Sequence, residues 1–230
     1  MPDGSPNRTF DSLYFRKVET YGFLDRLCQE LDLTETQYQE AKSRYETVGS
    51  WLAYADDMLL KTSVIYAQGS TAIGTNVKPI KSNEHDVDLI ALLPDAKPSM
   101  QPGLVKQLVG DRIRENGRYR PILEEKQRCW RIVYANEFHL DITPSIPNPH
   151  CPNGGELVPD KSLSQWKPSN PKGFRDKFDE RSKLVPLLRV EKARQENRYT
   201  ADASIEPFPT NSGAKGVLRR TVQDRKSTRL

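Results

Sequence analysis

The sequence predicts an α+β fold, a small mixed sheet with helices packed behind it. Three patterns carry that prediction. Thr62–Ala67 and Asp86–Leu93 are short apolar runs of strand length. Phe138, Leu140 and Ile142 alternate with His139 and Asp141, the period of a half-buried strand. Tyr38, Ala41, Tyr45, Val48, Leu52, Ala55 and Leu59 recur at spacings of three and four, the apolar stripe of a long helix that must pack on something.

Taken in order, residues 1–8 are polar, with Pro2, Gly4 and Pro6, and are expected to be disordered. Residues 9–31 read as helix, with Phe10, Tyr14, Val18, Tyr21 and Leu24 on one side. Thr34 and Gln37 form a capping box, in which hydroxyl and amide each satisfy an orphan backbone donor, and the helix they start is expected to reach Leu60. Pro94 stops the second strand, and Gly103–Arg114 is a helix carrying Leu104, Val105, Leu108, Val109 and Ile113. Trp130–Tyr134 and Phe138–Thr143 make a hairpin around Ala135, Asn136 and Glu137. Pro144–Pro159, with five prolines and two glycines, reads as a loop. Phe174–Asn197 reads as helix weakened at Pro186, Arg198–Lys215 as irregular chain, and a further helix begins near Leu218.

The 230 residues are 36% hydrophobic and 29% charged, with a mean hydropathy of −0.73. That suits one large or two small domains with a strongly hydrated surface. No apolar run approaches the length of a membrane span, and the N-terminus lacks the pattern of a signal peptide, so a cytoplasmic protein is expected. Cys28, Cys129 and Cys151 are odd in number and irregularly spaced, which fits reduced thiols. The net charge of +4 is too mild to argue for duplex nucleic acid as a partner.

The chemistry concentrates between Gln68 and Asp88, in QGSTAIGTNVKPIKSNEHDVD. Successive strand side chains point to opposite faces, so Asp86 and Asp88 share a face while Val87 and Leu89 take the other. Asp141 fits the same plan from a later strand. Three carboxylates on adjacent strands suit hard oxygen-seeking cations, a pair of Mg²⁺ ions roughly 3.5–4 Å apart clamping attacking and leaving oxygens. Gly69 permits close approach of a ligand to the backbone, and Ser70 opens a turn whose amides suit phosphate. Gly74 and Thr75 extend that loop. His85 is expected on the face opposite the acids, and His139 on their own strand face as a structural group. His150 and Cys151 lack enough partners for zinc. Among Lys78, Lys81, Lys161, Lys167, Lys172, Arg175 and Lys177, the candidates for lining a phosphate groove are Lys172 and Arg175.

Gly69-Ser70, then Asp86-x-Asp88, then a lone Asp141 resembles the nucleotidyltransferases of the DNA polymerase β type. The longer string QGSTAIGTNVKP…HDVDLIALLP, with Trp166 and the SNPKGF segment at Ser169–Phe174, is similar to the bacterial CD-NTases, or SMODS nucleotidyltransferases, over roughly Thr34–Gln223. These are relatives of cyclic GMP-AMP synthase and oligoadenylate synthase. The resemblance implies joining of NTPs (ATP, GTP or others) with pyrophosphate release, giving a cyclic or short linear second messenger in anti-phage defence. It implies Asp86, Asp88 and Asp141 as catalytic metal ligands for two Mg²⁺, or Mn²⁺, and Gln68, Gly69, Ser70 and Thr75 as nucleotide-binding residues. Regulatory or effector proteins are further partners of such enzymes. A polymer- or protein-directed nucleotidyltransferase of the same fold, or an inactive nucleotide-binding fragment, are the alternatives.

The domain plan expected from this is a catalytic core over 9–160 and the start of a C-terminal helical lobe over 161–223. The last seven residues, DRKSTRL, carry three basic and one acidic side chain and resemble the translation of a short-read sequencing adapter. Residues 224–230 are therefore expected to be artefactual, and the helical lobe incomplete.

Overall fold

The computed structural model describes residues 8–78, 85–134, 138–183, 204–210 and 215–227. A sheet runs in the order β3 (Leu123–Glu125), β4 (Trp130–Tyr134), β5 (Phe138–Pro147), β2 (His85–Leu92), β1 (Val64–Gln68) and β8 (Ser204–Ile205). β5 is parallel to β2 and β8 to β1, while the other neighbours in that order are antiparallel, so the sheet is mixed as expected. β6 (Glu156–Pro159) and β7 (Trp166–Ser169) extend from the far end of β5.

Alternation settles what each face does. Ile65, Ala67, Val87, Leu89, Ala91, Leu140, Ile142, Ile132 and Trp130 point to one side and form the main core with α2 (Glu35–Ala53) and α4 (Pro102–Glu115). Thr34 caps α2 in the predicted box, its hydroxyl accepting from the Gln37 amide while the Gln37 side chain accepts from the Thr34 amide. The stripe buries Ala41, Tyr45, Val48 and Leu52 on the sheet. The helix stops at Ala53 rather than Leu60: Tyr54 leaves helical geometry, and Asp57 accepts from the Leu59 and Leu60 amides, forming a turn instead. Ala55 and Leu60 still reach the core from that turn.

Two other expectations change. Pro144–Pro159 is not all loop, because β5 continues through Pro144 to Pro147 and β6 pairs with it. Pro144 is tolerated where the parallel ladder needs no donor from it, a context that composition does not reveal. α1 (Arg8–Glu30) forms, but Val18 lies exposed with Phe15, Phe23 and Leu27, and the helix packs chiefly against α6 (Val217–Ser227). α5 (Pro171–Ser182) begins the helix expected from Phe174. Its predicted extension to Asn197, the 135–137 hairpin turn and Lys81 lie outside the described residues. The helix at Leu218 runs on through Ser227.

Trp130 anchors α4 to the sheet. Its indole nitrogen donates to the Lys106 carbonyl (2.8 Å), and Lys106 and Arg114 each place a cation over its ring, at 4.8 and 4.2 Å. The buried Lys106 ammonium is satisfied by Glu125 (2.7 Å) and the Lys126 carbonyl (2.6 Å). Gly110 lets the helix lie directly on the ring, because a Cβ there would fall inside the indole. Alanine at a helical glycine normally gains about 1 kcal/mol, whereas forced repacking of a filled core costs about 1–3 kcal/mol. Gly110→Ala is therefore expected to destabilise by up to about 2 kcal/mol net, lowering Tm by up to roughly 8 °C in a thermal melt. A variant that melts higher than wild type would show the contact to be soft.

Candidate active site

Register assembles the site. Gln68 lies opposite Asp88, Asp88 opposite Asp141, and Asp141 opposite Arg131. One row across β1, β2, β5 and β4 therefore reads Gln68, Asp88, Asp141, Arg131, all on the face away from the main core. Asp86, two residues earlier, aligns with His139 in the next row. The alternation that sends Val87 and Leu89 inward turns the acids outward together, as the sequence requires.

The neighbours of each acid differ. Asp88 lies over the start of the Gly-Ser loop: a Cβ on Gly69 would come within 2.5 Å of Asp88 Oδ2. Gly69 also has φ +61°, so glycine is required there twice over, for its backbone and for the carboxylate beside it. Asp141 is half-buried and held by the Arg131 guanidinium in a fork, Nε to Oδ1 and Nη2 to Oδ2, both 2.7 Å. The same Nη2 lies 4.0 Å from Asp86 Oδ1, and Asp86 is itself exposed. Bidentate pairing of this kind is among the stronger ionic contacts, and Asp141 pushes the Arg131 pKa further above its ordinary value. Burial, with the negative charge of Asp141 adding to it, raises the neighbouring Cys129 thiol to about 12, so it stays protonated.

Beyond Gln68, Gly69–Ala72 makes one helical turn (α3), and Gly74 (φ +65°) bends the chain back. The Thr75 amide donates to the Ser70 carbonyl (2.9 Å), and Thr71 and Asn76 meet through their side chains. Ser70 is partly exposed, and its amide precedes the intrahelical hydrogen-bond ladder. Thr75 is wholly buried, beneath the loop rather than on its surface. α6 supports the loop from behind. Arg219 Nε donates to the Ile73 carbonyl and Gln223 Nε2 to the Asn76 carbonyl, both at 2.8 Å. Gln223 and Arg220 also bind Asp32, as does Lys215, at 2.6–2.8 Å, which joins α6 to the segment after α1.

Farther along the same sheet face, Tyr66 donates to the buried Glu156. Lys172 covers the Tyr66 ring at 4.3 Å, and Lys172 and Arg175 both pair with Glu206, at 2.6 and 3.0 Å. The two basic residues predicted for a groove thus line this face with their charges already engaged.

The structure brings Asp86, Asp88 and Asp141 to one face beside Gly69 and Ser70, but not into one ligand cluster: among the described residues no three His, Cys, Asp or Glu converge on a single point. Carboxylates on adjacent strands are nonetheless the hard donors a divalent ion takes, and Arg131 supplies positive charge beside two of the three. The residues fit that group. Sequence reasoning missed Arg131, although a hairpin centred on Asn136 places it opposite Asp141. It missed Arg219 and Gln223 as well, since nothing local links them to residues 73–76.

The chain matches the family model for the Second Messenger Oligonucleotide or Dinucleotide Synthetase domain, SMODS, over residues 18–182. It is 29% identical over 208 residues to a protein from Roseivirga ehrenbergii named c-di-GMP synthase. The match covers 90% of this chain and 55% of that protein, so the chain spans about half the length of this curated relative. It resembles the structure of the Bradyrhizobium diazoefficiens CD-NTase CdnG in complex with GTP, with TM-score 0.55 and 24% identity over 66% of this chain and 44% of the other. The structure of E. coli MS115-1 CdnC with ATP gives TM-score 0.54 and 15% identity over 72% and 52%. These likenesses show the fold, a nucleotidyltransferase fold of the DNA polymerase β type. No helix among the described residues is long and apolar enough to cross a membrane.

Two outcomes are expected of this site's surroundings. Burial raises the Glu156 pKa above its ordinary value, against the hydrogen bond from Tyr66 and the charge of Lys172, which lower it. An acid with a raised folded pKa contributes stability that is complete below the unfolded value and lost as pH rises through the folded one. Glu156→Gln keeps the acceptor for Tyr66 and cannot ionise. Its Tm minus that of wild type is expected to increase from pH 4.5 towards pH 8 in parallel melts; a pH-independent difference would contradict the assignment. Gln223→Ala removes a buried donor to the loop carbonyl, a loss of about 1–3 kcal/mol. Amide exchange at Thr75 should accelerate in hydrogen-exchange mass spectrometry, while the β2 and β5 amides keep their protection.

Proposed function

The chain belongs to the SMODS family, and on that footing we propose that it joins nucleoside triphosphates into a cyclic or short linear oligonucleotide second messenger, used in anti-phage defence. A ribose 2′- or 3′-hydroxyl oxygen would attack the α-phosphorus of an NTP, forming a phosphodiester bond. The α-phosphorus bond to the bridging oxygen breaks, pyrophosphate leaves, and the hydroxyl proton passes to solvent. A second such step on the joined nucleotide closes a ring.

The row containing Asp88 and Asp141, beside the Gly69–Ser70 turn and with Asp86 on the same face, carries this proposal. Asp86, Asp88 and Asp141 would hold Mg²⁺ or Mn²⁺, two ions in all. Such ions supply acidity to the attacking hydroxyl and neutralise charge on the departing pyrophosphate. Gly69 lets a triphosphate approach the backbone, and the Ser70 hydroxyl and first-turn amides would bind its oxygens. Gln68, at the end of the row, would border the same phosphates. Buried Thr75 would act through the loop, by holding Ser70 in place. GTP is the first substrate to test, because a c-di-GMP synthase is a relative over most of this chain.

The experiment is incubation with labelled GTP or ATP, a divalent ion and no polymer. Soluble oligonucleotide and pyrophosphate are the expected products; label incorporated only when RNA or protein is added would instead favour a polymer-directed enzyme. Asp86→Asn/Asp88→Asn is expected to reduce turnover by at least roughly 100-fold, about 2.7 kcal/mol of barrier, with Tm unchanged or raised because crowded carboxylates repel. Ser70→Ala, which loses one hydrogen bond to charge, should raise KM for the NTP roughly tenfold. Full turnover in the double variant would refute the site.

A further inference from the structure

Arg131 occupies a position that fold support alone does not require. It is on β4 between the core residues Trp130 and Ile132, so its side chain emerges on the site face. Its fork engages both oxygens of Asp141 at 2.7 Å and reaches to 4.0 Å from Asp86. One unit of positive charge therefore sits among the acids. A further carboxylate flanks Arg131 on its other side. Glu124 on β3 is its register neighbour on the side away from Asp141, and Glu124 is exposed and paired with Lys126 at 2.6 Å. Directly opposed cross-strand side chains are about 5 Å apart at Cβ, so a rotamer change carries the guanidinium from one carboxylate to the other without moving the backbone.

Resting on the metal site proposed above, we propose that Arg131 is the resident counter-cation of the ion-free site. It neutralises Asp141, and a divalent ion binds by displacing it towards Glu124. Arg131 is then a positioning residue that acts through Asp141. It keeps the carboxylate ordered and charge-balanced, and it sets a threshold concentration below which the ligand set stays closed. The fork is what makes the competition strong: a lysine in its place makes a point contact with one oxygen.

The test measures Mn²⁺ affinity of the nucleotide-free protein by isothermal titration calorimetry, supported by melts in EDTA. Arg131→Gln is expected to melt lower in EDTA but bind Mn²⁺ roughly tenfold to hundredfold more tightly than wild type, with Arg131→Lys between them. Arg128→Gln removes a positive charge from the exposed turn between β3 and β4 and leaves the Asp141 and Glu124 pairs intact, so it is expected to stay within about twofold of wild type. If Arg128→Gln tightens binding as much as Arg131→Gln, the effect is general charge and the proposal fails. If wild type binds Mn²⁺ and both Arg131 variants bind it equally or more weakly, Arg131 is not a competitor, although the metal site stands. If neither wild type nor the Arg131 variants bind Mn²⁺ at millimolar concentration, the metal site itself is refuted and this role with it. Arg131→Lys, which retains the charge, keeps the comparison available should Arg131→Gln not fold.

Discussion

The parallel pairing of β2 with β5 is the constraint on which the site depends. Within it, Val87, Leu89 and Ala91 and, across from them, Leu140 and Ile142 are all buried in the core. A slip of one residue in either strand would turn its apolar set to the outer face and its acids into the core. The apolar residues therefore fix the carboxylate geometry without touching it. Burying Leu89 or Ile142 is worth about 2 kcal/mol each, far more than the repulsion between partly hydrated carboxylates costs. The hydrophobic side decides the register, and the charged side has to be balanced afterwards.

That balance is local. Asp141 is matched by Arg131, and Glu206 by Lys172 and Arg175. Asp32 is matched by Lys215 and Arg220, whose hydrogen bonds, against the effect of burial, hold its carboxyl below the usual range. Asp25 joins Asp32 on the other side of Arg220. These clusters link parts of the chain that are far apart in sequence. Residues near 32, 76 and 220 meet through Asp32, the Asn76 carbonyl and Gln223, so the loop after β1 has its inner surface set by a helix near the end of the chain. Gln223, which from sequence alone looks remote from the chemistry, is fully buried against that loop.

What the sequence made legible follows from periodicity and covalent proximity. The β1 and β2 strands, the Thr34 capping box, the start of α2 and the α4 helix emerge close to their expected limits, because each pattern is read within one turn or a few residues. The shared face of Asp86, Asp88 and Asp141 was legible for the same reason. The end of α2 was not: Ala55 and Leu60 reach the core from a turn, so they continue the stripe's apolar character without its helix. β6, β7 and β8 were missed because proline-rich or two-residue strands take their identity from a neighbour. Arg131 was hidden by its company, a single charged residue in an apolar strand that reads as surface until the hairpin is folded.

The placement of Trp130 has an optical consequence. Its indole is almost fully shielded from water, lies against two cations of α4 and is covalently next to Arg131, which pairs with Asp141. Tryptophan emission responds to such nearby charge and to the field across the ring. The protein thus carries a chromophore one peptide bond from Arg131, and a rearrangement of the Arg131 side chain would be written into its fluorescence without any added label.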